Sequence, residues 1–234
     1  MRATNWEFSN RALVFGLIFG LAFPLYALDP QNSTAALANR IGSSLGADPD
    51  RIARVLFGCA ALLLVVAAFT RTWASSYLHA NVVYAADVKT ASLVADGPYR
   101  RVRNPLYFAN VLMAVAMGAM MSRTGFFVAV AAMLIFCYRL ILREEIELQA
   151  SQGEPYLRYR NAVPRLWPSP WPRVAPAGRQ ARWSDGFQAE FWYWGLAAGL
   201  VTFALTLSLE MFFVIVAASI GLFWVSSTVL QKKR

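Results

Sequence analysis

The fold class this sequence predicts is an all-α integral membrane protein of about six transmembrane helices, and three observations carry the prediction. The chain of 234 residues is 58% hydrophobic and only 15% charged, where a soluble domain carries about 25% charged residues. Its apolar residues gather into blocks of roughly 17 to 20, the length of helix that crosses a hydrocarbon core about 30 Å thick. The charge is one-signed, with a formal net of +9, and the basic residues crowd into particular segments between the blocks. In a membrane protein such an excess reports topology and contact with the anionic headgroups of the lipid bilayer. None of the usual nucleic-acid motifs is present, so nucleic acid is not expected as a partner.

The first apolar block, residues 12–28, follows Arg2 and Arg11. Leu25-Tyr26-Ala27 is a poor small-x-small cleavage site and further spans follow, so the block reads as a retained first span, kinked at Pro24. Residues 29–51 form a polar loop in which 35–45 suit a short interfacial helix. The second block is 52–73, with Trp73 and Tyr77 placed for the membrane interface. A polar segment, 75–103, carries His79, Asp87, Lys89 and Asp96 and then an arginine cluster. The third block, 105–121, opens with Asn104 followed by Pro105, an N-cap residue ahead of a proline at the first helical position. Ser122-Arg123-Thr124-Gly125 reads as a tight turn into the fourth block, 126–142. Blocks three and four are then an antiparallel hairpin, which puts Asn104 and Glu144 on one side of the membrane. Residues 150–188 are rich in arginine and proline and should be largely extended. The last two blocks, 191–209 and 211–230, are too long together for one span, so the chain must reverse near Glu210.

Six spans place both termini on one side. Assigning that side to the cytoplasm leaves only Arg40, Arg51, Arg54 and Arg123, of 22 Lys and Arg, on the outer face, as the positive-inside rule demands. The chain then divides into two N-terminal helices (1–74), a core of cytosolic loop, hairpin and Arg/Pro-rich segment (75–186), and a C-terminal hairpin (187–234). Cys59 and Cys137 lie inside apolar blocks with no partner at metal spacing, so neither a disulfide framework nor a metal site is expected. The single histidine, His79, excludes any Ser-His or Cys-His pair not built on it.

The chemistry gathers at the two polar ends of the hairpin. At the first, a helix N-terminus beside Arg100, Arg101 and Arg103 is a ready anion site, with Tyr99 and Tyr107 adding aromatic faces and hydroxyls. At the second, Arg139, Arg143 and Glu147 share one helical stripe and can pair. Glu144 and Glu145 point about 100° apart, so at least one is free of that stripe. Together the ends offer an anion cradle, hydroxyls and carboxylates on one membrane face. That set suits a zwitterionic ligand with a carboxylate, an amine and hydroxyls. It suits a nucleotide triphosphate poorly, because no Gly-rich Walker loop is present.

The residues 93–107, Leu-Val-Ala-Asp-Gly-Pro-Tyr-Arg-Arg-Val-Arg-Asn-Pro-Leu-Tyr, are followed by Arg143-Glu144-Glu145-Ile146-Glu147-Leu148. Gly153-Glu154-Pro155-Tyr156-Leu157-Arg158-Tyr159 and Val163-Pro164-Arg165 then complete an ordered set. This order and spacing resembles the isoprenylcysteine carboxyl methyltransferase and phospholipid methyltransferase superfamily. The resemblance implies a membrane enzyme that uses S-adenosylmethionine as cofactor and methylates a lipophilic acceptor or lipid entering from the bilayer. It implies cofactor contacts from Ala91, Ser92, Leu93, Val94 and Tyr99, from the anion cradle of Arg103, Asn104, Pro105, Leu106 and Tyr107, and from Glu144 with Glu145 beside it. Arg139 and Arg143 are the candidates for the arginine that serves the acceptor, and Asn104 stands where the family keeps a histidine. Asparagine cannot take a proton near neutral pH. The acceptor ranked first is therefore a carboxylate of an isoprenylcysteine-like substrate, with a phospholipid amine as alternative. A non-catalytic lipid- or partner-binding protein on the same scaffold is the remaining reading.

Overall fold

A computed structural model describes residues 2–78 and 94–231, the side chains of 225–231 excepted. Among the described residues it is built from helices, joined by two 3-10 turns, Phe23–Ala27 and Gly97–Arg100, and irregular segments. In chain order the helices are α1 Asn5–Ser9, α2 Arg11–Ala22, α3 Ser33–Leu45, α4 Pro49–Tyr77, α5 Pro105–Gly118, α6 Arg123–Gln152, α7 Glu154–Ala162, α8 Trp183–Ala189, α9 Phe191–Thr206 and α10 Leu209–Gln231.

Helix α4 is the centre post. Ala53, Ala60, Ala67 and Ala74 recur every seven residues along it, and all are buried. Small side chains at that spacing let neighbouring backbones approach closely, which is how helices gain packing energy where lipid removes the hydrophobic driving force. Helices α3, α5, α8 and α9 all pack on α4, and α5 packs on α6. Phe57 of α4 meets Phe203 of α9 edge-on, with ring centroids 4.8 Å apart. Gly186 marks a close crossing: a Cβ there would lie 2.5 Å from the Thr72 carbonyl oxygen, so α8 can rest on α4 only with glycine at the contact.

Two helices, Pro49–Tyr77 and Arg123–Gln152, are long and apolar enough to cross a membrane; the apolar helices Arg11–Ala27, Pro105–Gly118, Phe191–Thr206 and Leu209–Trp224 are shorter. The expectation of six comparable spans is thereby modified. Helix α5 has 14 residues, about 21 Å of axial rise, because the chain turns at residues 119–121 instead of at 122–125. Ser122 is the N-cap of α6, its hydroxyl accepting from Gly125 N, and Arg123, Thr124 and Gly125 form the first helical turn. At Pro24 the chain has left the α-helix, which ends at Ala22, for a 3-10 turn. The reversal expected near Glu210 falls at Leu207, which adopts the left-handed conformation, and Ser208. The short helix expected over 35–45 is present and starts at Ser33. The stretch 150–188 is helical as far as Ala162, broken at Gly153, then irregular to Arg182.

The bundle has two polar ends. At one, Asp29 binds Arg123 (3.0 Å), and the Asn32 amide donates to the carbonyls of Ala119 and Met121, each at 3.1 Å. At the other, the end of α4, the start of α5, the C-terminal half of α6 and the start of α9 come together. Helix α1 docks there too: Arg139 holds Glu7 at 2.7 Å, and the Arg143 guanidinium lies over the Phe8 ring, 4.7 Å from its centroid.

Candidate active site

At this second end the two halves of the hairpin meet directly. The Tyr107 hydroxyl, one turn into α5, donates to Glu144 Oε1 on α6 at 2.5 Å. Tyr107 is buried and the Cys137 thiol points at its carbonyl (3.9 Å). Beside this contact Arg103 reaches Glu145 at 2.8 Å, and Arg165 grips the same carboxylate with two bonds of 3.1 and 2.9 Å. Glu145 is 6% exposed, so its burial is supported by two guanidiniums, as a buried carboxylate requires. In return, Glu145 raises the affinity of Arg165 for its proton. The Tyr156 phenol is pushed up to about 12, first by burial and then by the Glu145 charge. Tyr159 is raised by burial and by Tyr156, and its hydroxyl donates to the Tyr99 carbonyl (2.8 Å).

Asn104 occupies the N-cap position of α5 but does not cap it. Its backbone (φ −124°, ψ 61°) carries no side-chain cap bond, and its amide instead donates to the Arg165 carbonyl at 2.9 Å. The expected side-chain cap is therefore corrected: Asn104 ties the loop after α7 to the start of α5. The backbone N–H groups of the first turn, at Leu106 and Tyr107, are left without a side-chain acceptor, which keeps that helix end receptive to an anion.

The irregular segment after α7 folds back over the turn-rich stretch. Arg103 N donates to Pro164 O (2.9 Å), Ser169 N to Arg101 O (2.9 Å) and Arg173 N to Arg100 O (2.7 Å). The Asp96 carboxylate accepts from the backbone N–H groups of Ala177 (2.8 Å) and Arg179 (2.9 Å). Gly97 is required at the start of this stretch, with φ +55° and the Tyr77 ring 2.3 Å from where a Cβ would stand.

The structure therefore brings together Tyr107 with Glu144, Arg103 with Glu145, and Asn104 and Pro105 beside them, with Tyr99 fixed through Tyr159. Leu106 lies half-buried on the first turn of α5, and Val94 is half-buried at the edge of the described segment. Ala91, Ser92, Leu93 and His79 lie outside the described residues. Of the two arginines on the shared stripe, Arg143 takes the partner the stripe suggests and Arg139 does not. Arg143 pairs with Glu147 (2.8 Å) and with Asn5 (2.8 Å), whereas Arg139 turns to Glu7 and not to Glu147. The Glu7 carboxyl is held down to about 2, chiefly by the bonds from Arg139.

One polar cluster escaped the reading of the sequence. Arg71 of α4 binds Glu190 through Nε (2.5 Å) and Nη2 (3.0 Å) and donates from Nη1 to Asn110 Oδ1 (2.8 Å). Ser75 completes Glu190 (2.6 Å), the Tyr193 hydroxyl shares Asn110 Oδ1 (2.5 Å), and the guanidinium lies over the Tyr193 ring at 4.5 Å. All five residues are buried. Asn110 is about one helical turn beyond Tyr107, so the cluster lies directly beneath the candidate site. The signal was in the sequence: Arg71 and Asn110 interrupt apolar blocks, and ionisable residues at membrane depth demand partners. Among the described residues no three His, Cys, Asp or Glu side chains come together as metal ligands.

Comparison with known proteins bears on this geometry. Residues 54–152, from the second turn of α4 to the end of α6, match the model of the phospholipid methyltransferase family. The match spans both halves of the Tyr107–Glu144 contact and points to a membrane methyltransferase. The chain is 25% identical over 142 residues to the cobalt-zinc-cadmium resistance protein CzcN of Cupriavidus metallidurans, an alignment covering 58% of this chain and 61% of that protein. It thus spans about three fifths of the length of that relative. No solved structure matches it significantly. Motif order and hairpin geometry agree with this match, and residues 54–152 are similar to the isoprenylcysteine carboxyl methyltransferase and phospholipid methyltransferase superfamily.

Proposed function

We propose that this chain is a multi-pass, membrane-embedded methyltransferase that takes S-adenosylmethionine from the cytoplasm and methylates a lipophilic acceptor arriving through the bilayer. The observation that carries the reading is the 2.5 Å contact between Tyr107 and Glu144, which joins the two motif-bearing ends across the hairpin. The orientation we propose, six crossings with both termini cytoplasmic, is supported by the docking of α1 on the same end of α6 that carries Glu144.

The donor set fits the cofactor. When bound, S-adenosylmethionine supplies an electrophilic methyl group on a sulfonium. The uncapped N–H groups of Leu106 and Tyr107 suit its carboxylate, and Glu144 suits its ammonium or ribose hydroxyls. Tyr99, Val94, Arg103, Asn104, Pro105 and Glu145 form the surrounding wall of the proposal, together with Ala91, Ser92 and Leu93. Tyr107 orients Glu144, and Arg103 with Arg165 neutralise Glu145, so Glu145 acts as a positioned structural charge. Arg139 and Arg143 are the candidates for holding an acceptor carboxylate. To do so they must exchange Glu7, Asn5 and Glu147 for it.

The acceptor chemistry follows from the missing base. Asn104 cannot accept a proton, Glu145 is held by two guanidiniums and Glu144 is held by a phenol. A carboxylate, as in an isoprenylcysteine-like substrate, needs only in-line positioning. The alternative, a phospholipid amine, is favoured by the family that residues 54–152 match and would have to shed its proton to water. Isothermal titration with S-adenosylhomocysteine tests the assignment: wild type binds, and Glu144→Ala and Tyr107→Ala weaken binding. No binding by wild type, under conditions where a known family enzyme binds, overturns it.

A further inference from the structure

Beyond methyl transfer, and resting only on the orientation proposed above, we propose that the cytoplasmic-end cleft between α7 and the loop that follows it is a binding site for an anionic phosphate. The cleft has a volume of about 460 Å³ and is lined by Arg103, Arg160, Arg165 and Arg173, with Asn161 at its edge. Among the described residues one carboxylate answers these four guanidiniums: Glu145, shared by Arg103 and Arg165. The side-chain partners of the other two are neutral oxygens, Gln149 Oε1 for Arg160 (2.7 Å) and Ser169 Oγ for Arg173 (2.9 Å). The guanidiniums are therefore aligned by groups that leave their charge uncompensated.

A second observation points to a ligand. The Arg103 side chain is only 8% exposed, its Nη1 donates to the Arg160 carbonyl, and its Nε is buried with no hydrogen-bond partner. A buried donor left unsatisfied is costly, and an oxygen-rich anion in the cleft would remove that cost. Planar guanidinium forks match phosphate oxygens.

The surroundings set the class of ligand. Trp167, 62% exposed, packs edge-on against Phe108 of α5 with centroids 5.8 Å apart, and Trp171 is 74% exposed. A tryptophan with one apolar contact and one wet edge, as Trp167 has, belongs at headgroup depth. The cleft beside them thus faces phosphates of the inner leaflet as well as those of the cytosol. Its surplus of cations selects a headgroup of net negative charge, because the ammonium of a zwitterionic lipid would be repelled.

The test uses the purified full-length protein in nonionic detergent, titrated separately with inorganic phosphate, dihexanoylphosphatidylglycerol and dihexanoylphosphatidylcholine. The anionic ligand binds, weakens with added salt, and is bound at least about tenfold more weakly by the R160Q/R173Q double variant. The R160K/R173K variant keeps most of the affinity, and both variants keep the wild-type melting temperature. Binding of inorganic phosphate assigns the site to a free phosphate or monoester; binding of phosphatidylglycerol alone assigns it to a lipid headgroup. The proposal is overturned if neither ligand binds, if R160Q/R173Q binds as wild type does, if phosphatidylcholine binds equally, or if saturating S-adenosylhomocysteine displaces the ligand, which would make the cleft part of the cofactor seat.

Discussion

Replacing Glu190 by alanine should remove the keystone of the cluster under the site. Glu190 is fully buried and accepts two bonds from Arg71, at 2.5 and 3.0 Å, and one from Ser75 at 2.6 Å. The substitution strips Arg71, itself 7% exposed, of the carboxylate that binds two of its nitrogens. Removing one member of a buried pair costs about 3–5 kcal/mol, most of it the penalty on the charge left behind, whereas replacing both members with apolar groups of similar volume is often close to neutral. The expectation is therefore asymmetric: E190A destabilises by about 3–5 kcal/mol, while the double variant R71M/E190M recovers most of that loss. Equilibrium unfolding in mixed detergent, followed by far-ultraviolet circular dichroism, measures both. The two residues stand on α4 and at the entrance to α9, 119 positions apart, so the same loss should loosen the C-terminal hairpin and appear as faster amide exchange in α9. An E190A variant within about 1 kcal/mol of wild type, or a double variant worse than either single, would refute the reasoning.

Tyr107→Phe removes the bond to Glu144 without changing the packing, and a bond to a charged group contributes about 1.5–3 kcal/mol; S-adenosylhomocysteine affinity measured by calorimetry should fall roughly tenfold or more. Glu7 gives a pH prediction. Arg139 holds its carboxyl down from 4.5 to about 2, so its contribution is complete above the higher value and is lost as pH falls toward the lower one. Melting temperatures of wild type and Glu7→Gln, compared over this range, should converge in acid, and parallel curves would show the pair contributes nothing. Gly97→Ala forces a side chain into positive φ and against the Tyr77 ring; it should destabilise by about 1–3 kcal/mol in thermal unfolding.

The hairpin of α5 and α6 is legible in the sequence because span length and a short connection fix it, and the pairing of Arg143 with Glu147 follows from helical spacing alone. The meeting of Tyr107 with Glu144 follows from the same hairpin. What spacing cannot reveal is any contact made between distant segments. Arg139 shares a stripe with Glu147, yet its partner is Glu7, 132 residues away, delivered by a five-residue helix too short to read from periodicity. Asn104 has the identity of an N-cap, but its amide is taken by the Arg165 carbonyl, a bond that exists only once the loop after α7 folds back. Helix α5 ends at Gly118 because the polar groups of Asn32, Ser33 and Thr34 bind the carbonyls of residues 118–121. That tertiary capture outweighs the apolar run that continues to Met121.

The distribution of charge around the hairpin constrains the chemistry further than the motifs do. Of the carboxylates near Tyr107, Glu145 is paired with Arg103 and Arg165, Glu147 with Arg143, and Glu190 with Arg71. Glu144 alone faces a neutral partner, a phenol that donates to it. A carboxylate in that setting serves best as a hydrogen-bond acceptor for a bound cation or hydroxyl, and using it as a base would forfeit the Tyr107 bond at the moment of reaction. With asparagine at position 104 the described residues thus offer well-placed charges, and Glu144 is the carboxylate among them not already held by a guanidinium. On the proposed function, an enzyme so built would gain its rate from positioning and from the exclusion of water, and the acceptors that suit it are those that arrive already anionic. This weighs toward a carboxylate or thiolate and against an ammonium, even though the family matched by residues 54–152 is named for phospholipids. Comparing an isoprenyl-thioether carboxylic acid with a phosphatidylethanolamine as methyl acceptor, each at pH 6 and pH 9, separates the two. The carboxylate should be methylated at rates that change little between them, and an amine-only activity that climbs with pH would place the missing base in solvent and reverse the ranking.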